Sequence, residues 1–344
     1  MAASTDDHRE DGRNHRDSAG VARAPGASET SSALYAEPTM PSTSAAERWT
    51  GERTYHHSRY AAERIARERA GSVSVCLPAK ECAGTVGAIV GELVKLREVG
   101  AVDEIVVVDA ASADGTAAAA ERAGATVHQE AELLPQFGPV LGKGDAMWRA
   151  LSVLEGDTVC YLDADTEGFQ AHFATGLLGP LACEEGVEFV KAFYRRPFEQ
   201  GGVTLPEGGG RVNHLTARPA LALFYPDLAG VRQPLAGEVA VRRELLERLP
   251  FATGYGVEIA MVIDVWKEVG LEGMAQVDLE VHRNRHQPLQ ELTPMAYTVL
   301  ATIAQRLERE GRLRALDVDA LASSPGRERE SAPERPPWAT VGVA

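Results

Sequence analysis

Two aspartates separated by one residue, Asp163-Ala164-Asp165, stand at the end of an apolar run, Thr158–Leu162. A strand that ends this way puts two carboxylates at the rim of a sheet, clear of the core. Hard divalent cations such as Mg²⁺ take oxygen ligands and readily share them with substrate phosphates. The pair therefore suits an ion that clamps a diphosphate. Asp-x-Asp also occurs as a solvated turn, so the tripeptide gains meaning only from its surroundings.

Those surroundings hold further polar groups. Only five of the 35 basic residues are lysines: Lys80, Lys95, Lys143, Lys191 and Lys267. Lys143 lies between Gly142 and Gly144, which let backbone approach a ligand closely. Its ammonium suits a phosphate or sugar oxygen; a solvated loop lysine is the plain alternative. Asp109, after the β-branched run Glu104–Val108, accepts hydrogen bonds only, from a base N–H or a ribose hydroxyl, or else serves as a capping residue. His282 follows the apolar run Ala275–Val281 and could be a third metal ligand or a structural histidine. Arg211 sits behind Gly208–Gly210, an anion cradle or a flexible surface loop. Glu238 and Glu258 could bind sugar hydroxyls, although Glu258, near a helix start, could equally complement the helix dipole. A nucleotide-sugar site needs a base pocket, a metal, cations near the phosphates and an acceptor pocket; these residues offer each.

The elements that must carry them alternate. Val73–Leu77 reads as a strand stopped by Pro78, and a helix is expected over 85–99. Glu104–Val108 reads as a strand buried on both faces. A helix capped by Ser112 or Asp114 follows, to about Ala123. Thr126–Gln129 is a candidate strand, Lys143–Leu154 a helix, and Thr158–Leu162 the strand that delivers Asp163. Alternation of this kind predicts an α/β fold with a doubly wound, mostly parallel sheet. Ligands then bind beyond the carboxyl ends of the strands, where Pro78, Asp109 and Asp163 fall. The second half is less regular, with a helix from Gly254 to about Val269, a strand over Ala275–Val281 and a helix over Pro294–Arg309.

Composition bounds the rest. The 344 residues are 44% apolar, ample for a core, and carry a net charge of −15, which argues against nucleic acid as a partner. Cys76, Cys82, Cys160 and Cys183 show no C-x-x-C spacing and no disulfide density, so a reducing cytoplasm is expected and a zinc site is not. The first ten residues carry no apolar stretch, so no signal peptide is expected, and no run suggests a membrane partner. Three segments are expected: an arm over 1–70, disordered apart from one helix near 45–70; a domain over 71–312, with nucleotide-sugar and acceptor halves meeting near 166; and a disordered tail over 313–344.

Residues 72–290 resemble the glucosyl-3-phosphoglycerate synthases, retaining GT-A glycosyltransferases of actinobacteria. The resemblance runs through Leu77-Pro78-Ala79, Val108-Asp109, Gly142-Lys143-Gly144 with Ala146 and Trp148, Asp163–Asp165, Gly209–Val212, Pro234–Glu238, Gly254–Glu258 and His282–Asn284. It implies transfer of glucose from UDP-glucose to 3-phospho-D-glycerate, with Mg²⁺ or Mn²⁺ on Asp165 and His282, and a homodimer. Pro78, Ala79, Glu81, Asp109, Asp163, Ala164, Leu235 and Glu258 would line the donor, with Lys143 close to it. Asp165, Lys143 and Glu258 would act in catalysis. Gly210, Arg211, Val212, Asn213, Tyr255 and Asn284 would hold the acceptor. The chain departs from the pattern at Glu81-Cys82, where Asn-Glu is usual; at Ala110, where serine is common; at Asn213, where threonine is usual; and at Glu280, which replaces an arginine. These departures loosen the expectation about base and acceptor. Two alternatives stay open: a same-fold transferase with another phosphorylated acceptor, and a nucleotidyltransferase, disfavoured because Pro78–Gly84 lacks a Gly-rich basic loop.

Overall fold

The apolar runs become strands of one eight-stranded sheet. The structure is a computed structural model that describes residues 44–200, 203–206, 208–283, 288–313 and 333–342. Its strands are β1 (Thr54–His56), β2 (Val73–Ala79), β3 (Glu104–Asp109), β4 (Thr126–Gln129), β5 (Thr158–Tyr161), β6 (Phe189–Arg195), β7 (Phe198–Gln200), β8 (Val203–Leu205), β9 (Val239–Arg242), β10 (Phe251–Ala252), β11 (Met274–Val281) and β12 (Glu334–Arg335). Its helices are α1 (Ala45–Glu52), α2 (Ala62–Glu68), α3 (Val86–Val99), α4 (Thr116–Ala123), α5 (Lys143–Ala150), α6 (His172–Cys183), α7 (Arg218–Phe224), α8 (Arg243–Arg248), α9 (Val257–Val269) and α10 (Leu289–Arg309).

The sheet runs β1-β11-β6-β9-β5-β2-β3-β4, parallel except for β9, which is antiparallel to both β5 and β6. Alternation along the strands divides the core. Val75, Leu77 and Val107 pack with Ile65, Ile89, Leu93 and Leu177 of α2, α3 and α6. Cys76, Val106, Val108 and Val159 face Trp148, Leu245, Val262 and Ile303 of α5, α8, α9 and α10. Successive side chains of a strand point to opposite faces, so continuous apolar runs are what a sheet covered on both sides requires.

Three expectations need correction. Residues 45–70 form more than one helix: β1 joins the sheet edge in parallel with β11, and Trp49, Tyr60 and Ile65 are buried. These anchors are widely spaced, so they leave little periodicity. Residues 333–342 of the expected tail also return to the domain. β12 pairs antiparallel with β10, and Trp148 donates its indole N–H to the carbonyl of Pro336 at 2.9 Å. Residues 1–43 and 314–332 lie outside the described residues. Finally, Gly115 rather than Ser112 or Asp114 occupies the cap of α4, while Asp114 accepts from the Thr116 N–H at 3.0 Å.

Candidate active site

The register brings three strand ends into one row. Ala79 pairs with Asp109, and Asp109 with Gln129. Asp109 is buried; its Oδ2 accepts from the Ser112 N–H at 3.1 Å and from the Gln129 amide at 3.0 Å. Its Oδ1 is buried without a hydrogen-bond partner. An unsatisfied buried carboxylate oxygen is costly unless a ligand supplies a donor. Glu81 has a positive φ of 54° and accepts from the Ala113 N–H at 2.9 Å, so one carboxylate oxygen fastens the loop after β3.

Beyond β5 the chain turns through Asp163-Ala164-Asp165. The Thr85 hydroxyl donates to the Ala164 carbonyl at 2.6 Å and pins the turn, with Ala164 buried beneath it. Asp163 packs against Gly237 so closely that a Cβ there would meet its carboxylate at 2.2 Å. Asp165 is open to solvent but closely walled by protein. That crowding, and then the charge of Asp163, raises its pKa.

Lys143 opens α5. Its ammonium stands 2.6 Å from Asp163 Oδ1 and 3.0 Å from Glu258 Oε1 at the start of α9. Burial opposes its charge, but Asp163 and then Glu258 outweigh burial, so its pKa is raised. The flanking glycines have separate reasons. Gly142 has a φ of 97°, and a Cβ on Gly144 would lie 1.9 Å from the Ala252 carbonyl oxygen. Asp145 is not a ligand candidate: it is buried and paired with Arg149 at 3.2 Å and Arg335 at 2.7 Å.

His282 is delivered by the end of β11. Its N–H donates to the Arg195 carbonyl at 3.0 Å, and Glu167 N–H donates to the Arg283 carbonyl at 3.0 Å, joining this segment to the loop after Asp165. Its ring stacks on Tyr194 at 4.4 Å, and Thr166 Oγ1 lies 3.1 Å from Nε2. Glu238, fully buried, stands 2.8 Å from the same nitrogen through Oε1 and accepts from the Tyr194 hydroxyl at 2.7 Å through Oε2. Burial alone would raise the Glu238 pKa; His282, then Arg196 and the Tyr194 hydroxyl, hold it well below the usual carboxylate range.

Asp163, Glu238 and His282 each place one ligand atom within 4.8 Å of the others. His282 Nδ1 is buried without a hydrogen-bond partner, while Glu238 Oε1 is paired with His282 Nε2 at 2.8 Å. A carboxylate-rich set with one imidazole fits Mn²⁺ or Mg²⁺. The sequence singled out Asp165 and His282 for the ion; this trio instead gathers Asp163 and Glu238 about His282.

Pro78 is half-buried and Ala79 buried at the end of β2; Leu235 is half-buried on the Pro234–Glu238 turn. Lys191, buried on β6, donates to the Ala236 carbonyl at 2.5 Å and supports that turn. In the glycine-rich loop, Gly209 N–H donates to the Arg196 carbonyl at 2.9 Å, and Gly210 has a φ of 68°. The loop then presents Arg211, whose guanidinium lies 5.0 Å from the Phe198 ring, and buried Val212. Asn213 is also buried and opens a π-helical turn (Asn213–Ala217). Its amide donates to the Arg232 carbonyl at 3.3 Å, and its oxygen accepts from Leu235 N–H at 3.4 Å. Tyr255 is exposed, and Asn284 lies outside the described residues. Sequence reasoning missed Tyr194 and Arg196. Arg196 is half-buried, stacks on Tyr194 at 5.2 Å and has no hydrogen-bond partner at Nε. Their only signal was the polar tail of an apolar strand.

Comparison with known proteins places this geometry. Residues 74–175 match the model of glycosyl transferase family 2. A glucosyl-3-phosphoglycerate synthase of Mycolicibacterium smegmatis is 43% identical over 260 residues, 75% of this chain and 86% of the relative. The crystal structure of a mannosyl-3-phosphoglycerate synthase from Rubrobacter xylanophilus superposes with a TM-score of 0.74 at 50% identity, covering 80% of this chain and 87% of that one. The glucosyl-3-phosphoglycerate synthase of Mycobacterium tuberculosis, solved with Mn²⁺, UDP-glucose and phosphoglyceric acid, gives 0.68 at 38% identity, covering 81% and 93%.

Proposed function

The chain belongs to the glucosyl-3-phosphoglycerate synthase family, and from that premise we propose how its residues work as a metal-dependent hexosyltransferase. It moves glucose from a nucleoside diphosphate, UDP-glucose foremost, to 3-phospho-D-glycerate with retention at the anomeric carbon. One observation carries the site assignment: Asp163, Glu238 and His282 converge beyond the strand ends, each with a ligand atom within 4.8 Å of the others.

Asp165 and His282, with Asp163 and Glu238 beside them, would hold Mn²⁺ or Mg²⁺, which when bound offsets charge on the diphosphate leaving group. Asp109 Oδ1 accepts a proton donor of the nucleoside. Lys143, already clamped by Asp163 and Glu258, faces growing negative charge without reorganising. Glu258 also accepts from glucose hydroxyls. Arg211, with Gly210 and Val212, grips the acceptor phosphate; Asn213, Tyr255 and Asn284 complete that pocket. The acceptor hydroxyl attacks from the face the diphosphate leaves, and a diphosphate oxygen takes its proton.

The likeness to a mannosyl-3-phosphoglycerate synthase favours a second reading in which mannose, on another nucleotide, is also transferred. The test is nucleoside diphosphate release across a matrix of UDP-, GDP- and ADP-sugars and phosphorylated acceptors, with the product anomer assigned by NMR. No release with any glucose donor and 3-phosphoglycerate would overturn the function.

A homodimer is part of the same proposal. Leu215 (75% exposed), Leu223 (73%), Leu289, Tyr297 and Leu300 leave large apolar side chains in solvent on the π turn, α7 and α10, as a buried interface would require. Light scattering that gives a monomer would exclude it. A cytoplasmic location is supported by four unpaired cysteines, three of them buried.

A further inference from the structure

Glu280 is the departure from the family pattern that the active site does not use. It sits in the irregularity between Asp278 and Val281 of β11, with a φ of 67°. A non-glycine side chain adopts that conformation only under constraint. Its N–H donates to Asp278 Oδ1 at 2.8 Å, locking the irregularity. The carboxylate thereby meets two histidines from the N-terminal segment. Oε1 lies 3.5 Å from His56 Nε2 and 3.3 Å from His57 Nε2.

We propose that His56, His57 and Glu280 form a second metal site, separate from the one at His282, which takes a zinc-class divalent ion and fastens β1 to the end of β11. The three ligand atoms lie within 4.8 Å of one another. Two donors with bonds of about 2.0–2.1 Å to a tetrahedral ion stand about 3.3 Å apart, close to both distances here. A direct charge-assisted hydrogen bond would be nearer 2.7–2.9 Å, as it is for Glu238 and His282 at 2.8 Å. His57 Nε2 is buried, and its 3.3 Å contact with Glu280 does not have hydrogen-bond geometry.

The supporting groups also fit. His172 stacks on His57 at 4.2 Å, and its Nε2 lies 3.3 Å from the Leu279 carbonyl, which fixes both rings. Without metal, His56 Nδ1 accepts from Ser58 N–H at 3.2 Å. With Nδ1 protonated, Ser58 Oγ at 2.8 Å accepts instead and leaves the Nε2 lone pair for an ion. Two imidazoles and one carboxylate favour zinc and its late first-row neighbours over Mg²⁺, which prefers oxygen. His56 and Glu280 are about half exposed, so water can take the fourth position. The ion would close the sheet edge where Tyr55 pairs with Val277 and His56 with Asp278.

The test uses tag-free full-length protein carrying His282→Ala, so that the active-site metal is weakened independently. Zn²⁺ binding is measured by competition with a chromophoric chelator, and Co²⁺ binding by its visible spectrum. One Zn²⁺ per chain should bind, with an intense tetrahedral cobalt spectrum. Adding Glu280→Gln or His56→Ala, both at exposed positions, should weaken binding roughly 100-fold and abolish that spectrum. Absence of zinc binding in His282→Ala, a weakening of less than about tenfold, or an octahedral cobalt spectrum would overturn the proposal. None of these readouts depends on glycosyl transfer.

Discussion

Lys143 Nζ stands 2.6 Å from Asp163 Oδ1, bridging the first turn of α5 to the end of β5. The contact joins the two features that the sequence marked independently. In the proposed reaction it would also set a cation where charge develops on the leaving diphosphate.

Replacing that cation should be costly for turnover and mild for folding. Lys143→Met leaves Asp163 and Glu258 facing each other without a counter-ion, and kcat/KM should fall on the order of 100- to 1000-fold. The measurement is steady-state kinetics beside far-UV circular dichroism. A loss below about threefold with intact structure would remove Lys143 from the chemistry.

Asp165→Asn and His282→Ala should each abolish most divalent-metal dependence while the protein remains folded. Glu238→Gln should weaken Mn²⁺ binding as well, because a buried charge beside His282 is lost. Mn²⁺ affinity by electron paramagnetic resonance and activity with and without chelator are the readouts. Full activity of the Asp165 or His282 variant in chelator would sink the assignment.

Donor choice should be loose. Ala110 and Cys82 supply no side-chain oxygen to the nucleoside side, and Glu81 spends one oxygen on Ala113. The ratio of kcat/KM among UDP-, GDP- and ADP-glucose should stay under about 1000-fold, or roughly 4 kcal/mol of discrimination. A sharper preference for UDP-glucose would refute this.

Arg211→Ala should lower acceptor efficiency by roughly 30- to 1000-fold, about 2–4 kcal/mol. Arg211→Lys should rescue it only in part, since a guanidinium pairs with phosphate through two parallel donors. Donor binding by calorimetry should hardly change. An unaffected acceptor efficiency would reduce Gly208–Arg211 to a surface loop.

Lys191 offers a test through pH. Burial, the leading cause, lowers its pKa from 10.5 to about 8 in the folded protein. Between those values the unfolded chain binds a proton that the folded one does not, so stability rises with pH across about 8 to 10.5. Below about pH 8 both states are protonated and the slope from this residue vanishes. Lys191→Met should remove that rise, on the order of 3 kcal/mol across the window. Denaturant midpoints of both proteins from pH 7 to 10.5 measure it; parallel curves would contradict it.

The first half of the domain was legible because its signals are local. Ile105–Val108 could only be a doubly covered strand, and Asp109 and Asp163 follow such runs directly. The second half was less so, because its key contacts join distant segments. Tyr194 and Glu238 meet across β6 and β9, and nothing in Phe189–Arg195 announces an antiparallel neighbour. Helix α10 was expected from Pro294, a favourable first-turn residue, yet it begins at Leu289 and absorbs the proline. The return of Arg335 to Asp145 had no sequence signal, since one of four arginines in a polar tail looks like the others.

The pairing of β1 with β11 has a consequence for how the enzyme comes into being on the ribosome. Thr54 and Gln276, which share a side-chain hydrogen bond, are 222 residues apart. At about 5–20 residues per second, the first strand waits roughly 10–40 s for its partner to be synthesised. Strands β2 to β5 can assemble meanwhile, because their neighbours are already made, but β6 and the residues flanking β9 and β11 supply Tyr194, Glu238 and His282. The nascent chain can thus acquire the strand-end rim proposed for the nucleoside well before it acquires the cluster around His282, and the edge strand translated first closes on the strand that leads into the last of those groups.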